Sequence, residues 1–82
     1  MKKCKCVCCY NYTLDSEPPG TFEICPVCYW EDDNVQFSDP NYEGGANEIS
    51  LNKARENYER IGAISERYLK NVRRPSKTEI HG

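Results

Sequence analysis

The sequence predicts a small α+β fold, with a cysteine-bearing β-hairpin unit in front and two short helices packed against it. Three observations carry this. Two C-x2-C steps, Cys6-Val7-Cys8-Cys9 and Cys25-Pro26-Val27-Cys28, stand fifteen residues apart. Apolar and polar residues alternate on both sides of Pro18-Pro19-Gly20, and after Ser50 the apolar residues recur at steps of three and four.

At 82 residues the chain reads as one cysteine-rich domain, residues 1–75, with 76–82 as a flexible tail. So short a chain buries little apolar surface and needs a staple. The cysteine spacing supplies one: two tight turns can each present a pair of sulfurs at the corners of one tetrahedron, about 2.3 Å from a zinc ion. In small zinc domains the apparent binding free energy, roughly 10–16 kcal/mol, becomes folding energy because the unfolded chain has no preformed site. The expected ligands are Cys6, Cys9, Cys25 and Cys28, since Cys6 and Cys9 form the only C-x2-C pair among the four N-terminal cysteines. Cys8 lies inside the first turn and reads as a packing residue, while Cys4 reads as an exposed thiol. Four thiolates leave no open position, so the zinc is expected to be structural.

Six cysteines could also form a secreted disulfide framework. The basic start, Met1-Lys2-Lys3-Cys4-Lys5-Cys6, has no apolar run after it and does not read as a secretory signal, and no stretch approaches a membrane span. The expectation is a cytoplasmic protein in which closely spaced cysteines favour metal over disulfide. The formal charge is −2. Four thiolates and one zinc ion would take it to about −4, which argues against a general nucleic-acid binder. Charge is also polarised: no Lys or Arg falls between Cys6 and Asn52, a span that holds nine acidic residues. Eight of the eleven basic residues follow it.

Tyr10, Tyr12 and Leu14 alternate with polar residues after the first cysteine pair, and Phe22 and Ile24 do so before the second. This predicts a hairpin running from one cysteine turn to the next across Pro18-Pro19-Gly20, the frame of a zinc-ribbon or rubredoxin-like metal site. Residues 35–37 read as a short strand and residues 38–47 as loop. Ser50 is the expected N-cap of a helix carrying Leu51, Ala54, Tyr58 and Ile61, with Gly62 closing it in a left-handed conformation. Ser65 caps a second helix with Tyr68, Leu69 and Val72 on its apolar face, Ile64 stapling against Leu69, and Pro75 ending it.

The stretch from Pro19-Gly20-Thr21-Phe22-Glu23 through Cys25-Pro26-Val27-Cys28 to Asp32, Asp33 and Phe37 resembles the second half of a rubredoxin, which makes iron the alternative to zinc. The interval between the pairs is shorter than rubredoxins have. Tyr10 and Tyr29 also stand where rubredoxins place a glycine after each pair. Tyr29-Trp30 can be a stacking platform or core around the sulfurs, and Glu31-Asp32-Asp33 lacks the regular oxygen-ligand spacing of a hard-cation site. Arg67, Lys70, Arg73 and Arg74 form a basic stripe able to meet an acidic partner or simply to face solvent. Catalysis has no foothold: His81 is the only histidine, Ser50 and Ser65 serve as caps, and no phosphate loop precedes a helix.

Several blocks together resemble the bacterial CPCC-type cysteine-rich proteins: Cys6-Val7-Cys8-Cys9, Glu17-Pro18-Pro19-Gly20-Thr21, Ile24-Cys25-Pro26-Val27-Cys28, Trp30-Glu31-Asp32-Asp33, the Tyr42-Glu43-Gly44-Gly45-Ala46-Asn47 loop, and Ser50-Leu51 with Ala54-Arg55-Glu56-Asn57-Tyr58. The chain departs at Val7, where the family's name implies proline, and at Tyr10, where glycine is usual. The resemblance implies a small zinc-binding domain. The expected role is a metal-stabilised interaction module and not an enzyme. Its candidate partner surface is Trp30, Glu31, Asp32 and Asp33 on the acidic side, with Arg67, Lys70, Arg73 and Arg74 on the basic side, and the partner is an unidentified protein. One version is an antidote whose acidic face covers a basic toxin.

Overall fold

Each C-x2-C step reverses the chain within a few residues, so the segments flanking one step meet each other. The computed structural model describes residues 2–81. Strand β1 (Cys4–Lys5) pairs antiparallel with β2 (Tyr12–Leu14), Cys4 opposite Leu14 and Lys5 opposite Tyr12. Around the second step, Ile24 bridges Glu31. The expected pairing of residues 12–14 with 22–24 does not form. Each cysteine turn is instead the tip of its own hairpin, and Phe22 and Ile24 remain exposed. The α+β architecture stands, with the cysteine cluster at the hairpin.

Helix α1 (Asn34–Ser38) occupies the segment read as a strand. The alternation Val35-Gln36-Phe37 is real but inverted, with Gln36 0% exposed and Val35 and Phe37 51% and 39% exposed. Gln36 Nε2 donates to the carbonyls of Tyr42, Asn47 and Ile49, and its Oε1 accepts from the Asn47 backbone and side chain. Satisfied on every side, this amide holds the loop that a hydrophobic residue would leave unpaired.

Helix α2 (Leu51–Ile61) follows the expectation closely. The Ser50 hydroxyl accepts from the Lys53 N–H, Leu51 and Ala54 are buried, and Gly62 ends the helix at φ 87°. After Ser65 the chain forms a 3₁₀ helix, Glu66–Asn71, not an α-helix. Ile64 enters the core while Leu69 is 45% exposed, so the expected staple between them is absent. The segment read as a tail carries a short helix, α3 (Lys77–His81). Ser76 Oγ accepts from the Glu79 N–H and Glu79 Oε1 accepts from the Ser76 N–H, a reciprocal cap that the sequence Ser76-Lys77-Thr78-Glu79 encodes.

The core is centred on sulfur: Cys6, Cys8, Cys9, Cys25 and Cys28 pack with Leu14, Val27, Trp30, Leu51, Ala54 and Ile64. Among the described residues, no helix is long and apolar enough to cross a membrane.

Candidate metal centre

The two cysteine turns repeat one another bond for bond. In the first, the Tyr10 N–H donates to the Cys6 carbonyl and the Cys6 N–H to the Asn11 carbonyl, at 2.9 and 2.8 Å. In the second, Tyr29 donates to Cys25 and Cys25 to Trp30, at 2.8 and 2.9 Å. Closing each turn requires a left-handed residue after the second cysteine, and Tyr10 and Tyr29 take it at φ 67° and 76°. A non-glycine residue is strained there by roughly 1–2 kcal/mol. Both tyrosines recover contacts that glycine would not make: Tyr29 stacks on Tyr68 with ring centroids 4.4 Å apart, and the Arg55 guanidinium lies 5.4 Å from the Tyr10 ring centre.

The turns bring Cys6, Cys9, Cys25 and Cys28 together, all buried, with their sulfurs within 4.8 Å of one another. Cys6 Sγ lies 3.7 Å from Cys28 Sγ and Cys9 Sγ 3.8 Å from Cys25 Sγ. A tetrahedral zinc ion with sulfur at about 2.3 Å needs edges of about 3.8 Å, so these four residues fit the ion expected from their spacing. Backbone N–H groups point at the sulfurs, Val27 to Cys25 and Trp30 to Cys28, each at 3.4 Å. The Thr13 hydroxyl lies 3.0 Å from Cys25 Sγ.

Hydrogen bonds from Cys28, Cys6, Cys9 and Thr13 pull Cys25 well below the usual thiol range. Its proximity pushes Cys28 and Cys6 far above that range. Four thiolates at this separation repel one another, and only a cation at their centre lets all four ionise together. Cys8 is buried in the sulfur core but is outside the four. Cys4 is half-buried, and desolvation followed by the nearby Glu17 carboxylate pushes its thiol up, away from thiolate reactivity.

The helical half grips each turn separately. Arg55 Nε and Nη2 donate to the Val7 carbonyl at 3.1 and 2.9 Å, and Asn11 Nδ2 donates to the Tyr58 hydroxyl at 3.2 Å. On the second turn, the Ile64 N–H donates to the Cys28 carbonyl at 3.0 Å and the Arg73 N–H to the Pro26 carbonyl at 3.3 Å. Thr13 and Arg55 escaped sequence reasoning. The polar position of Thr13 in an alternating strand gives no sign that it faces sulfur, and Arg55 lies outside the apolar stripe of α2.

The acidic half of the expected partner surface is largely interior. Trp30 is buried against the sulfurs, Asp32 Oδ2 accepts from the Thr21 N–H and hydroxyl, and Asp33 Oδ1 caps α1 while its Oδ2 accepts from Ala46. The Ala46 N–H, then those of Gln36 and Val35, hold the Asp33 carboxyl below its ordinary range against desolvation. These side chains brace loops and offer no face to a partner, and Glu31 is half-buried. Arg67, Lys70, Arg73 and Arg74 are exposed as expected. Arg67 pairs with Glu48 and Arg73 with Glu79.

No curated protein matches the sequence. The family model Cysteine-rich CPCC matches residues 4–79. That match covers nearly the whole chain and takes in both sulfur-bearing turns, and the chain belongs to the Cysteine-rich CPCC family.

Proposed function

We propose that the four cysteines hold a structural zinc ion and that the protein is a metal-stapled interaction module with no catalytic activity. The observation that carries this is the closed cluster: four buried sulfurs within 4.8 Å of one another, two of the pairs at 3.7 and 3.8 Å, with each vertex taken by protein. Zinc bound there supplies cross-linking and charge neutralisation. Cys6, Cys9, Cys25 and Cys28 would hold it, Thr13, Val27 and Trp30 would donate to the sulfurs, and Trp30 and Leu14 keep water away. The interaction role is supported by charge polarity along the chain and by the exposed basic stripe.

Elemental analysis of protein purified under reducing conditions without added metal is expected to give one zinc per chain. Cross-linking in the native host is expected to join a single partner to wild-type protein and not to the Lys70→Glu/Arg74→Glu variant. Substoichiometric metal removes the first half of the reading, and cross-links indifferent to charge reversal remove the second.

The N–H groups aimed at Cys25 and Cys28 also favour a second reading, a mononuclear iron centre of rubredoxin type. Such a protein is red when purified from iron-replete cells. Colourless, zinc-loaded protein excludes it.

A further inference from the structure

A groove opens where the last three helical segments meet. Ile61 at the end of α2, Leu69 and Val72 from the 3₁₀ helix and its exit, and Pro75 and Ile80 around α3 line a cleft of about 720 Å³. This falls within the roughly 300–1,000 Å³ typical of binding clefts. Leu69 and Ile80 are 45% and 49% exposed. Tyr68 turns the other way, onto Tyr29.

The charge around this groove is net basic. Residues 59–79 hold six basic side chains and three acidic ones, Glu59, Glu66 and Glu79. Glu48 neutralises Arg67 and Glu79 neutralises Arg73. Among the described residues, Arg60, Lys70, Arg74 and Lys77 have no carboxylate partner. Arg74 lines the groove, as does Glu59, while Arg60 and Lys70 adjoin Ile61 and Leu69 in the chain.

We propose that this groove receives an acidic amphipathic segment of a partner protein, whose large apolar side chains fill the cleft while flanking carboxylates pair with Arg74 and Lys70. The proposal rests on the interaction-module reading and narrows it to one face. Apolar walls supply contact area, and the unpaired cations select an acidic sequence and steer its approach. A nucleic-acid strand would satisfy the cations but leave Leu69 and Ile80 without a role. A bilayer would need these residues on a protruding surface, and they lie in a concave one.

The test uses the zinc-loaded protein and a phage-displayed random peptide library. Enriched peptides are expected to be acidic, with apolar residues at helical spacing. A synthetic consensus peptide is expected to shift amide signals of Leu69, Val72 and Ile80 and to bind more weakly at high salt. Leu69→Asp and Arg74→Glu, both at exposed positions, are each expected to weaken it about ten-fold or more while leaving the free protein's amide spectrum dispersed. Enriched basic peptides that map to Glu31 and Glu48 would overturn the groove and leave the interaction module standing. No enrichment at all would overturn both. Single-stranded RNA or phosphatidylserine vesicles that bind more tightly than any acidic peptide, and lose binding with Leu69→Asp, would overturn the peptide as occupant.

Discussion

Thr13 places a hydroxyl 3.0 Å from Cys25 Sγ, inside a buried sulfur cluster where each hydrogen bond to a thiolate offsets part of its desolvation. Thr13→Val keeps the shape of the side chain and the β-strand preference while removing that donor. The expected outcome is metal affinity reduced about ten-fold, within the range typical of groups that orient metal ligands, with the fold retained. Competition with a colorimetric chelator measures it, and unchanged affinity would mean the hydroxyl only packs. Gly45 tests the loop in the same way. A Cβ there would lie 2.7 Å from Asp33 Oδ2 and 2.8 Å from the Gln36 side chain, so Gly45→Ala must push apart the carboxylate and amide that hold Ala46 and Asn47. Denaturant unfolding of the metal-loaded protein is expected to show a loss of about 2 kcal/mol. In sequence the glycine pair reads only as loop residues free to take backbone angles that other residues resist. Only the structure shows that the second of the two is required by close approach rather than by backbone conformation.

Helix α3 illustrates how local pairing decides an element that composition alone assigns to a tail. Glu79 accepts from Arg73 Nη1 and Nη2, both at 2.7 Å, and closes the cap on Ser76. Arg73, followed by the Ser76 N–H, lowers the Glu79 carboxyl from 4.5 to about 2. A depressed carboxyl contributes its stability fully above its unfolded value and loses it as pH falls from about 4.5 through about 2. Protons compete with a metal for its ligands at acidic pH as well, so the clean probe is Glu79→Gln at neutral pH. Loss of a partly exposed pair and a cap is worth about 1 kcal/mol, and hydrogen exchange at residues 77–81 is expected to rise about five-fold while α2 is unaffected. Helix α2 was legible throughout because Ser50, its three-and-four spacing and Gly62 agree with one another. Strand pairing was not. Period-two alternation specifies a strand but not its partner, and the partner was set by the cysteine turns, which bring Cys4 to Leu14 and Ile24 to Glu31. Residues 35–37 misled for a related reason: a buried, fully bonded Gln36 between two exposed apolar residues carries the alternation of a strand in a one-and-a-half-turn helix.

Two independent grips converge on one cluster. Helix α2 holds the first cysteine turn through Arg55 and Tyr58, and the segment from Ile64 to Arg73 holds the second through Ile64, Tyr68 and Arg73. Sulfur from both turns meets at the centre, so an ion there would join two halves that otherwise share a small apolar core and a few hydrogen bonds, among them Asn57 Nδ2 to the Ile64 carbonyl and the Asp15 and Ser16 N–H groups to Glu23. The proposed ligand set and the proposed cooperative role of a metal can therefore be separated by two cysteine variants. Cys8 is buried beside the cluster without belonging to it, and Cys8→Ser is expected to keep one metal per chain and a dispersed amide spectrum at a cost of about 1–2 kcal/mol for burying a hydroxyl. Cys9→Ser removes one vertex and is expected to leave substoichiometric metal and an unfolded chain. Wild-type protein under a strong chelator and reductant should converge on the same state, with probes on Arg55 and Tyr68 reporting a single coincident transition. If the turn held by α2 melts while the Tyr29–Tyr68 stack persists, the halves fold independently and the metal is not what unites them.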